Sequence, residues 1–490
     1  MNKIQFLLSF ISIIPIFAIF AIFLIRNNYS LISKLTALLA LIMIGNILNL
    51  LHNFDGKLNA ISLINITRNM DIGLSLTNIS LIIALLVIFI WFIITIYSNR
   101  YFALAGDQRF FAFKLFSILL IEFIILIAFS KNLISLFFFY QLLIFCLYFF
   151  TSYFTRQMKE RAAHNFTLFL LASSFFLFLA IIISYKITGN SEFLNNGIFQ
   201  NLSHRKYFIL LSVFVLAIAL IALMPTQILF SQLYSLNAPM LIMVFVIGYG
   251  LVNLVVLLKV ILNIFGFDYF ITNNNNFNLS YILNIIIAIN LIISAILVLN
   301  QNNLKKMFVL LFFNQLIFSF FLFLVLNQEI DQFIITVISF ILSQTLIFLC
   351  LGNINLYIFR SHEKQIFGIF HKLKITVALL LFGLFNLIGI TPAIGFIEKY
   401  SLLENYFNGK FDLNLWVILL NLTLIFISII KMVWPILSTD QNLDPHDINL
   451  AKKIDSNWSL MFPSLIVAGL MFLSFIFSES INDALKAFLF

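Results

Sequence analysis

The chain has 490 residues, of which 62% are hydrophobic and 10% are charged, and its mean hydropathy is +1.10. Soluble domains carry roughly 25% charged residues, so this composition excludes an ordinary soluble domain. Apolar runs long enough to cross a bilayer recur along the whole chain and predict an all-α polytopic membrane protein. We interpret the net charge of +9 as a topology signal and expect no nucleic-acid partner.

Fourteen apolar segments of about 20 residues follow one another, which is the length a helix needs to cross a core of roughly 30 Å. The predicted spans are 4–25, 32–52, 76–97, 110–129, 132–154, 165–186, 206–224, 240–264, 280–300, 307–327, 331–352, 373–396, 414–436 and 459–478. About 14 transmembrane helices are therefore expected.

The distribution of positive charge orients these helices. Lys and Arg are more frequent in the connections after odd-numbered helices, a set that includes Arg109, Lys114 and Lys305. Positively charged connections stay on the cytoplasmic or matrix side of a membrane. We therefore expect the odd connections on that side and both termini on the other.

A few charged residues fall within or beside the predicted spans. The basic ones are Lys259, Lys399 and Lys431, and the acidic ones are Glu122, Glu398 and Glu404. A charge at bilayer depth is costly and usually faces a protein interior or a water-filled path. For Glu122, in the middle of its span, a structural hydrogen bond and a functional role both remain open.

Lys399 is the most informative of these residues, because it ends the run GITPAIGFIEK. Pro392 bends a helix and frees backbone carbonyls, and we expect Gly389 and Gly395 to help to allow a backbone break that admits water. A broken helix that carries an ionisable group is typical of an ion or proton path. Glu398 lies about 100° round the helix from Lys399, so adjacency alone does not make it the partner.

The segment around Pro225 resembles the segment around Pro392, and five predicted helices separate the two prolines. An odd number of helices inverts one copy relative to the other, which predicts two inverted five-helix repeats, helices 4–8 and 9–13, each with a broken helix. Chance similarity in a Leu-, Ile- and Phe-rich chain is the alternative. The expected domains are 1–105, 106–266, 267–440 and 441–490.

Three stretches carry a resemblance to a known family. GITPAIGFIEKY is similar to the helix-12 motif of the antiporter-like subunits of respiratory complex I, above all to the GIPPxxGFxxKF of NADH dehydrogenase subunit 2. QNNLKKMFVLLFFNQLIF (301–318) is similar to the family's helix-10 motif, and YQLLIFCLYFF (140–150) is a weaker match. The resemblance covers roughly 130–440, and the subunit 4 and 5 types are the alternative identities.

The resemblance implies a membrane-arm subunit of complex I that contributes to proton translocation coupled to NADH:ubiquinone oxidoreduction, with Lys399 as a proton-transfer residue. It implies no cofactor in this chain, since NADH, FMN, iron–sulfur clusters and ubiquinone bind to other subunits. The expected partners are other membrane-arm subunits and lipids such as cardiolipin. A mitochondrially encoded protein of the inner membrane, with both termini facing the intermembrane space, is expected; a bacterial plasma membrane is the alternative.

Three of the family's axial charges are replaced in this chain. Its helix-5 glutamate aligns with Gln141, its helix-7 lysine with Leu220, and its helix-8 lysine falls near Tyr249. The first half is therefore expected to pump poorly. Candidate substitutes are Glu122 and Lys259, although Lys259 near a helix end is also typical of a lysine that reaches the surface.

Two other functions remain open at this stage. One is a stand-alone cation/proton antiporter, and the other is a structural scaffold subunit that has lost pumping. The complex I subunit, the antiporter and the scaffold share one fold, so the fold alone does not separate these three functions.

Overall fold

A computed structural model of the chain describes residues 3–26, 28–54, 60–67, 70–155, 160–189, 192–193, 197–198, 204–222, 226–266, 279–325, 330–361, 368–407, 413–438, 451 and 453–489. Within this part of the chain, ten helices are long and apolar enough to cross a membrane. The prediction of an all-α polytopic membrane protein is confirmed.

The helices of the first half are α1 (Lys3–Leu24), α2 (Tyr29–Asn53), α3 (Asn78–Ala105), α4 (Phe110–Ala128), α5 (Leu133–Phe154), α6 (Glu160–Thr188), α7 (His204–Ala222), α8 (Thr226–Phe230) and α9 (Ala238–Phe265). A 3-10 helix, Ser231–Ser235, follows α8. Two stretches of α9 are π-helical, Ile242–Leu251 and Val260–Phe265.

The later helices are α10 (Leu279–Leu299), α11 (Leu304–Val325), α12 (Ile330–Ser361), α13 (Lys374–Ile388), α14 (Ile394–Phe407), α15 (Leu413–Leu437), α16 (Trp458–Ile476) and α17 (Ser478–Leu489). A single turn, Ile369–Lys372, precedes α13. Each predicted span coincides with a helix over most of its length, except that the span predicted at 373–396 is divided between α13 and α14.

A β-hairpin that the sequence analysis did not predict lies between α2 and α3. Strands β1 (Ala60–Thr67) and β2 (Met70–Ser75) pair antiparallel, with Ala60 opposite Ser75. The sequence analysis looked for apolar runs as long as a transmembrane helix, and these two strands are much shorter. Short strands of a single hairpin also bury little surface of their own.

The chain divides into two compact units. Unit 1 comprises 1–95, 109–233 and 243–283, and unit 2 comprises 96–108, 234–242 and 284–490. In unit 1, α4 packs against α1, α2 and α5, and α6 packs against α5 and α7. In unit 2, the long helix α12 packs against α11, α13, α14 and α16. The four-domain division and the inverted repeats stay predictions.

The connections after α2, α4 and α6 meet at one end of unit 1. Successive helices run in opposite directions, so every second connection lies at the same end. The Ser75 backbone N–H donates to the carbonyl of Phe129 (2.6 Å), and that of Lys131 donates to Gly73 (3.0 Å). Phe193 donates to the carbonyl of Lys131 (3.2 Å). We call this the even end and the opposite one the odd end; which side of the membrane each faces stays a prediction.

The assignment of Lys114 to the odd connections is wrong. The residue lies inside α4, and its side chain is 0% exposed. Charge counting assigns a lysine near a span boundary to the surface, because a single sequence does not show which side chains the neighbouring helices enclose.

Candidate functional site

The break between α13 and α14 is the centre of the candidate site. Helix α13 ends at Ile388 and is followed by Gly389, whose φ of +89° lies in the left-handed region. The N–H groups of Gly389 and Ile390 both donate to the carbonyl of Phe385 at 2.9 Å. The peptide bond before Pro392 is cis, and α14 begins at Ile394. The break predicted at Pro392 is thus present, whereas Pro225 lies outside the described residues.

Two glycines let the chain pass closely at the break. A Cβ atom at Gly389 would lie 2.6 Å from Cδ of Lys399. A Cβ atom at Gly395 would overlap the carbonyl oxygen of Asn386. Both positions therefore require glycine on steric grounds, and the first also requires it for its positive φ.

Lys399 folds back over this break and ends in an ion pair. Its Nζ atom lies 3.2 Å from Oε1 of Glu398, and the two side chains are only 6% and 4% exposed. The same Nζ atom lies 5.4 Å from the centroid of the Phe318 ring, within the range of a cation–π contact. Glu398 is thus the partner of Lys399, although the two residues leave the helix about 100° apart. The long lysine side chain bends to reach the carboxylate.

Asn386 fixes the geometry of the break, and the sequence analysis missed it. The amide nitrogen donates to the carbonyl of Ser339 (3.2 Å) and to the hydroxyls of Ser339 (3.0 Å) and Ser343 (3.1 Å) on α12. The amide oxygen accepts the N–H of Gly395 (2.8 Å). One fully buried side chain thus joins α12, the end of α13 and the start of α14. Its position three residues before Gly389 is the only signal in the sequence.

The other end of α13 is capped by Asp455. The carboxylate accepts the Ile375 N–H (3.0 Å) and the Thr376 hydroxyl (2.6 Å), and so satisfies groups that a helix start leaves free. Burial raises the pKa of the Asp455 carboxyl, and these hydrogen bonds offset part of the rise. Helix α13 is therefore held at both of its ends.

Neutral polar side chains fill the surrounding interior of unit 2. Asn314 on α11 donates to Asn421 (2.9 Å) and to Ser294 (2.7 Å). Gln344 on α12 is fully buried, and neither of its amide atoms has a hydrogen-bond partner among the described residues. Buried amides without protein partners commonly bind internal water, so this interior suits a hydrated path.

In unit 1, the positions that the sequence analysis aligned with the family's charges stay predictions, and the structure describes two of their side chains. Gln141 is only partly buried on α5. Tyr249 is buried on α9, with ring centroids 5.9 Å from Phe166 and 5.6 Å from Phe230, inside an aromatic cluster. The side chain of Leu220 lies outside the described residues.

The two candidate substitutes differ in their surroundings. Glu122 is buried within α4, and its Oε2 atom has no hydrogen-bond partner among the described residues. The Lys259 Nζ donates to the carbonyl (2.8 Å) and hydroxyl (2.9 Å) of Ser130, in the turn after α4. Lys259 therefore contacts the even end at Ser130, which lies eight residues past Glu122 in sequence. This contact favours the interpretation of Lys259 as a lysine near a helix end.

Lys431 is an exposed anchor on α15. Its Nζ atom donates to the carbonyl of Leu299 (2.9 Å) and to Oδ1 of Asn302 (3.1 Å). The positive charge of Lys431 complements the dipole at the C-terminal end of α10. This contact explains why a lysine stands at position 431, and no role in transport is needed.

Residues 130–428 match the family described as NADH:quinone oxidoreductase/Mrp antiporter, transmembrane. The chain belongs to this family, whose members are membrane proteins of the antiporter-like fold. No curated protein sequence matches this chain.

Solved structures of several membrane complexes share the fold, among them these three. A chain of the Mrp complex from Dietzia sp. DQ12-45-1b has a TM-score of 0.79 at 13% identity, covering 100% of this chain and 52% of that one. A chain of the archaeal membrane-bound sulfane sulfur reductase has a TM-score of 0.78 at 14% identity, covering 98% and 97%. A chain of respiratory complex I from Thermus thermophilus with bound Aureothin has a TM-score of 0.71 at 14% identity, covering 96% and 98%.

This chain thus spans about half the length of the Mrp chain that it matches. At such low identities the similarity establishes the antiporter-like fold and nothing finer.

Proposed function

We propose that this chain is a membrane-arm subunit of a complex I-type NADH:ubiquinone oxidoreductase, of the subunit 2 type, that contributes to proton translocation. The observation that carries the proposal is the buried ion pair of Lys399 and Glu398, folded over a helix break inside a membrane-spanning protein. Buried charges inside membranes mark ion and proton paths, and broken helices bring water and backbone carbonyls to them.

The chemistry at this site is electrostatic. A carboxylate beside a buried ammonium stabilises the protonated lysine, and the apolar surroundings strengthen that interaction. When a conformational or charge change elsewhere in the complex weakens the pair, the Lys399 ammonium releases its proton. When the pair forms again, the amine takes up another proton.

Unit 1 is the part of the chain where pumping is impaired in this proposal. Gln141 and Tyr249 do not exchange a proton at neutral pH as a carboxylate and a lysine do. Glu122 is the substitute carboxylate, because it is buried and one of its oxygens has no partner among the described residues.

The remaining parts of the proposal concern the setting of the chain. It belongs in a mitochondrial inner membrane, with both termini facing the intermembrane space, or in a bacterial plasma membrane. NADH, FMN, iron–sulfur clusters and ubiquinone bind to partner subunits, and lipids such as cardiolipin fill the subunit boundaries. The family match and the structural likeness to complex I support this setting.

A stand-alone cation/proton antiporter is the second candidate, and the family's description, which includes the Mrp antiporter, supports it. A scaffold that has lost pumping is the third, and the neutral residues at Gln141 and Tyr249 favour it for unit 1.

Native gel electrophoresis of mildly solubilised membranes, with mass spectrometry of the band, separates the first two candidates. A large assembly with NADH-oxidising activity is the expected result. A chain that runs alone or in a small complex without that activity would exclude the proposal and leave the antiporter.

A further inference from the structure

Unit 1 holds a buried lysine to which the proposed function gives no role. The Lys114 side chain is fully enclosed on α4, and its Nζ atom donates to the carbonyl of Thr95 at 2.9 Å. The same atom lies 5.3 Å from the centroid of the Phe110 ring. Among the described residues, no carboxylate lies within 4.0 Å of the Lys114 ammonium.

A purely structural role explains this arrangement poorly. Thr95 lies inside α3, where the helix already provides a hydrogen-bond donor for each interior carbonyl. The carbonyl therefore does not need the ammonium, while an ammonium with three donors is costly to enclose in a membrane protein without a counter-charge.

Lys114 and Glu122 occupy one helix in series. Lys114 is the fifth residue of α4, close to the odd end, and Glu122 lies eight residues further toward the middle. At 1.5 Å per residue the separation is about 12 Å along the axis, within one side of the helix. Between them, the Ser117 hydroxyl donates to the Lys114 carbonyl (2.8 Å) and accepts the indole N–H of Trp91 (3.3 Å).

We infer that Lys114 takes up protons at the odd end and passes them to Glu122, so that α4 provides the titrating groups that unit 1 lacks at Gln141, Leu220 and Tyr249. The inference rests on the proposed function. In the transfer, the Lys114 ammonium loses one proton to a chain of water molecules, and the Glu122 carboxylate gains one. Amine and carboxylic acid replace ammonium and carboxylate, and net charge is conserved.

The test measures protons translocated per NADH oxidised by the intact complex in proteoliposomes. Lys114→Met is expected to lose as much translocation as Glu122→Gln, and the double variant to lose no more than either, because the two groups act in series. Lys34→Met is the matched control, since Lys34 is an exposed lysine on the neighbouring helix α2, and it is expected to translocate at the wild-type ratio.

Lys114→Arg separates proton transfer from charge and from assembly. A guanidinium keeps the positive charge but does not release its proton, so this variant is expected to assemble and to lose the same share of translocation. Should Lys114→Met fail to assemble, as judged on a native gel, Lys114→Arg decides the question.

The outcomes against the inference are distinct from those against the proposed function. Wild-type translocation with Lys114→Met or Lys114→Arg, or losses that add in the double variant, would overturn the role of Lys114 alone. A wild-type complex that translocates no protons, or a Lys399→Met variant that translocates normally, would overturn the proposed function.

Discussion

The two units place their buried charges in different backbone settings. In unit 2, Lys399 lies beyond a break in the helix, and its ammonium meets the adjacent Glu398 at 3.2 Å. In unit 1, Lys114 and Glu122 lie within the unbroken helix α4, eight residues apart and without a mutual ion pair. A break lets a lysine fold back onto its neighbour, whereas a regular helix holds two such residues at a fixed separation.

The two units also differ in the residues that surround these charges. The Lys399 site depends on glycine and asparagine at specific points of the backbone. In unit 1, the two residues that the sequence resemblance aligns with charged positions of the family, Gln141 and Tyr249, are neutral, and Tyr249 belongs to an aromatic cluster.

Removal of the lysine at the break should have the largest effect. Lys399→Met leaves no proton carrier at the site, so we expect translocation through unit 2 to fall about 100-fold or more. The measurement is proton uptake into proteoliposomes during NADH oxidation. Lys431→Met, at an exposed anchor, is the control and should retain wild-type translocation.

The stability of the same variant tests the ion pair itself. Lys399→Met leaves Glu398 buried without its counter-charge, at a cost of about 3–5 kcal/mol in the free energy of unfolding. The double variant Glu398→Gln with Lys399→Met should recover most of that stability but none of the translocation. Thermal unfolding of the purified complex measures the stability of each variant. A double variant that is no more stable than Lys399→Met would contradict the ion pair of Lys399 and Glu398.

The close approach at the break should be the next most sensitive feature. Gly395→Ala places a methyl group on the carbonyl oxygen of Asn386, so we expect a loss of about 1–3 kcal/mol in the free energy of unfolding. Gly469→Ala on α16 is the matched control, because a Cβ there meets nothing within 4 Å. It should be neutral or slightly stabilising; equal losses in both variants would refute the steric argument.

Loss of the amide that joins the three helices should have a comparable or smaller effect. Asn386→Leu removes the bonds to Ser339, Ser343 and Gly395 and leaves the Gly395 N–H without the acceptor that it has in the wild type, at a cost of about 1–3 kcal/mol. Translocation should fall with stability, because Lys399 is no longer held over the break. A variant that keeps the wild-type unfolding temperature and translocation would show that Asn386 does not fix the break.

The hairpin at the even end of unit 1 should show the smallest effect. Lys131 pairs with Asp71 (3.1 Å) and Glu192 (2.8 Å). Burial by itself lowers the Lys131 pKa, but these two pairs outweigh it and raise the pKa above its usual range. Lys131→Met should cost at most about 1 kcal/mol, since the pairs are partly exposed.

The sign of the pH dependence follows from the raised pKa of Lys131. The ion pairs contribute fully to stability at pH values below the lysine's ordinary range near 10.4, and the contribution is lost as the pH rises through the higher folded value. Wild type and Lys131→Met should therefore keep their difference in unfolding temperature up to about pH 10.4 and converge only as the pH rises through the raised pKa of Lys131, or at high salt. A difference that persists under both conditions would contradict an electrostatic origin.

Much of this architecture could be predicted from the sequence. Hydropathy located the spans, because an apolar run of membrane length has few other stable structures. The run from Gly389 to Lys399 predicted the break, because proline removes a backbone donor wherever it occurs in a helix. The hairpin 60–75 was missed, because two short strands have no such strong local signal.

Hydropathy and local motifs are enough to predict the class of the protein and the helix break that carries Lys399. Only the packed helices show that Glu398 is the partner of Lys399, that Asn386 joins α12 to both sides of the break, and that Lys114 is enclosed. The difference lies in the range of each effect. Hydrophobicity and backbone geometry act within a few residues, whereas ion pairs and burial depend on side chains brought together by the packing of helices distant in sequence.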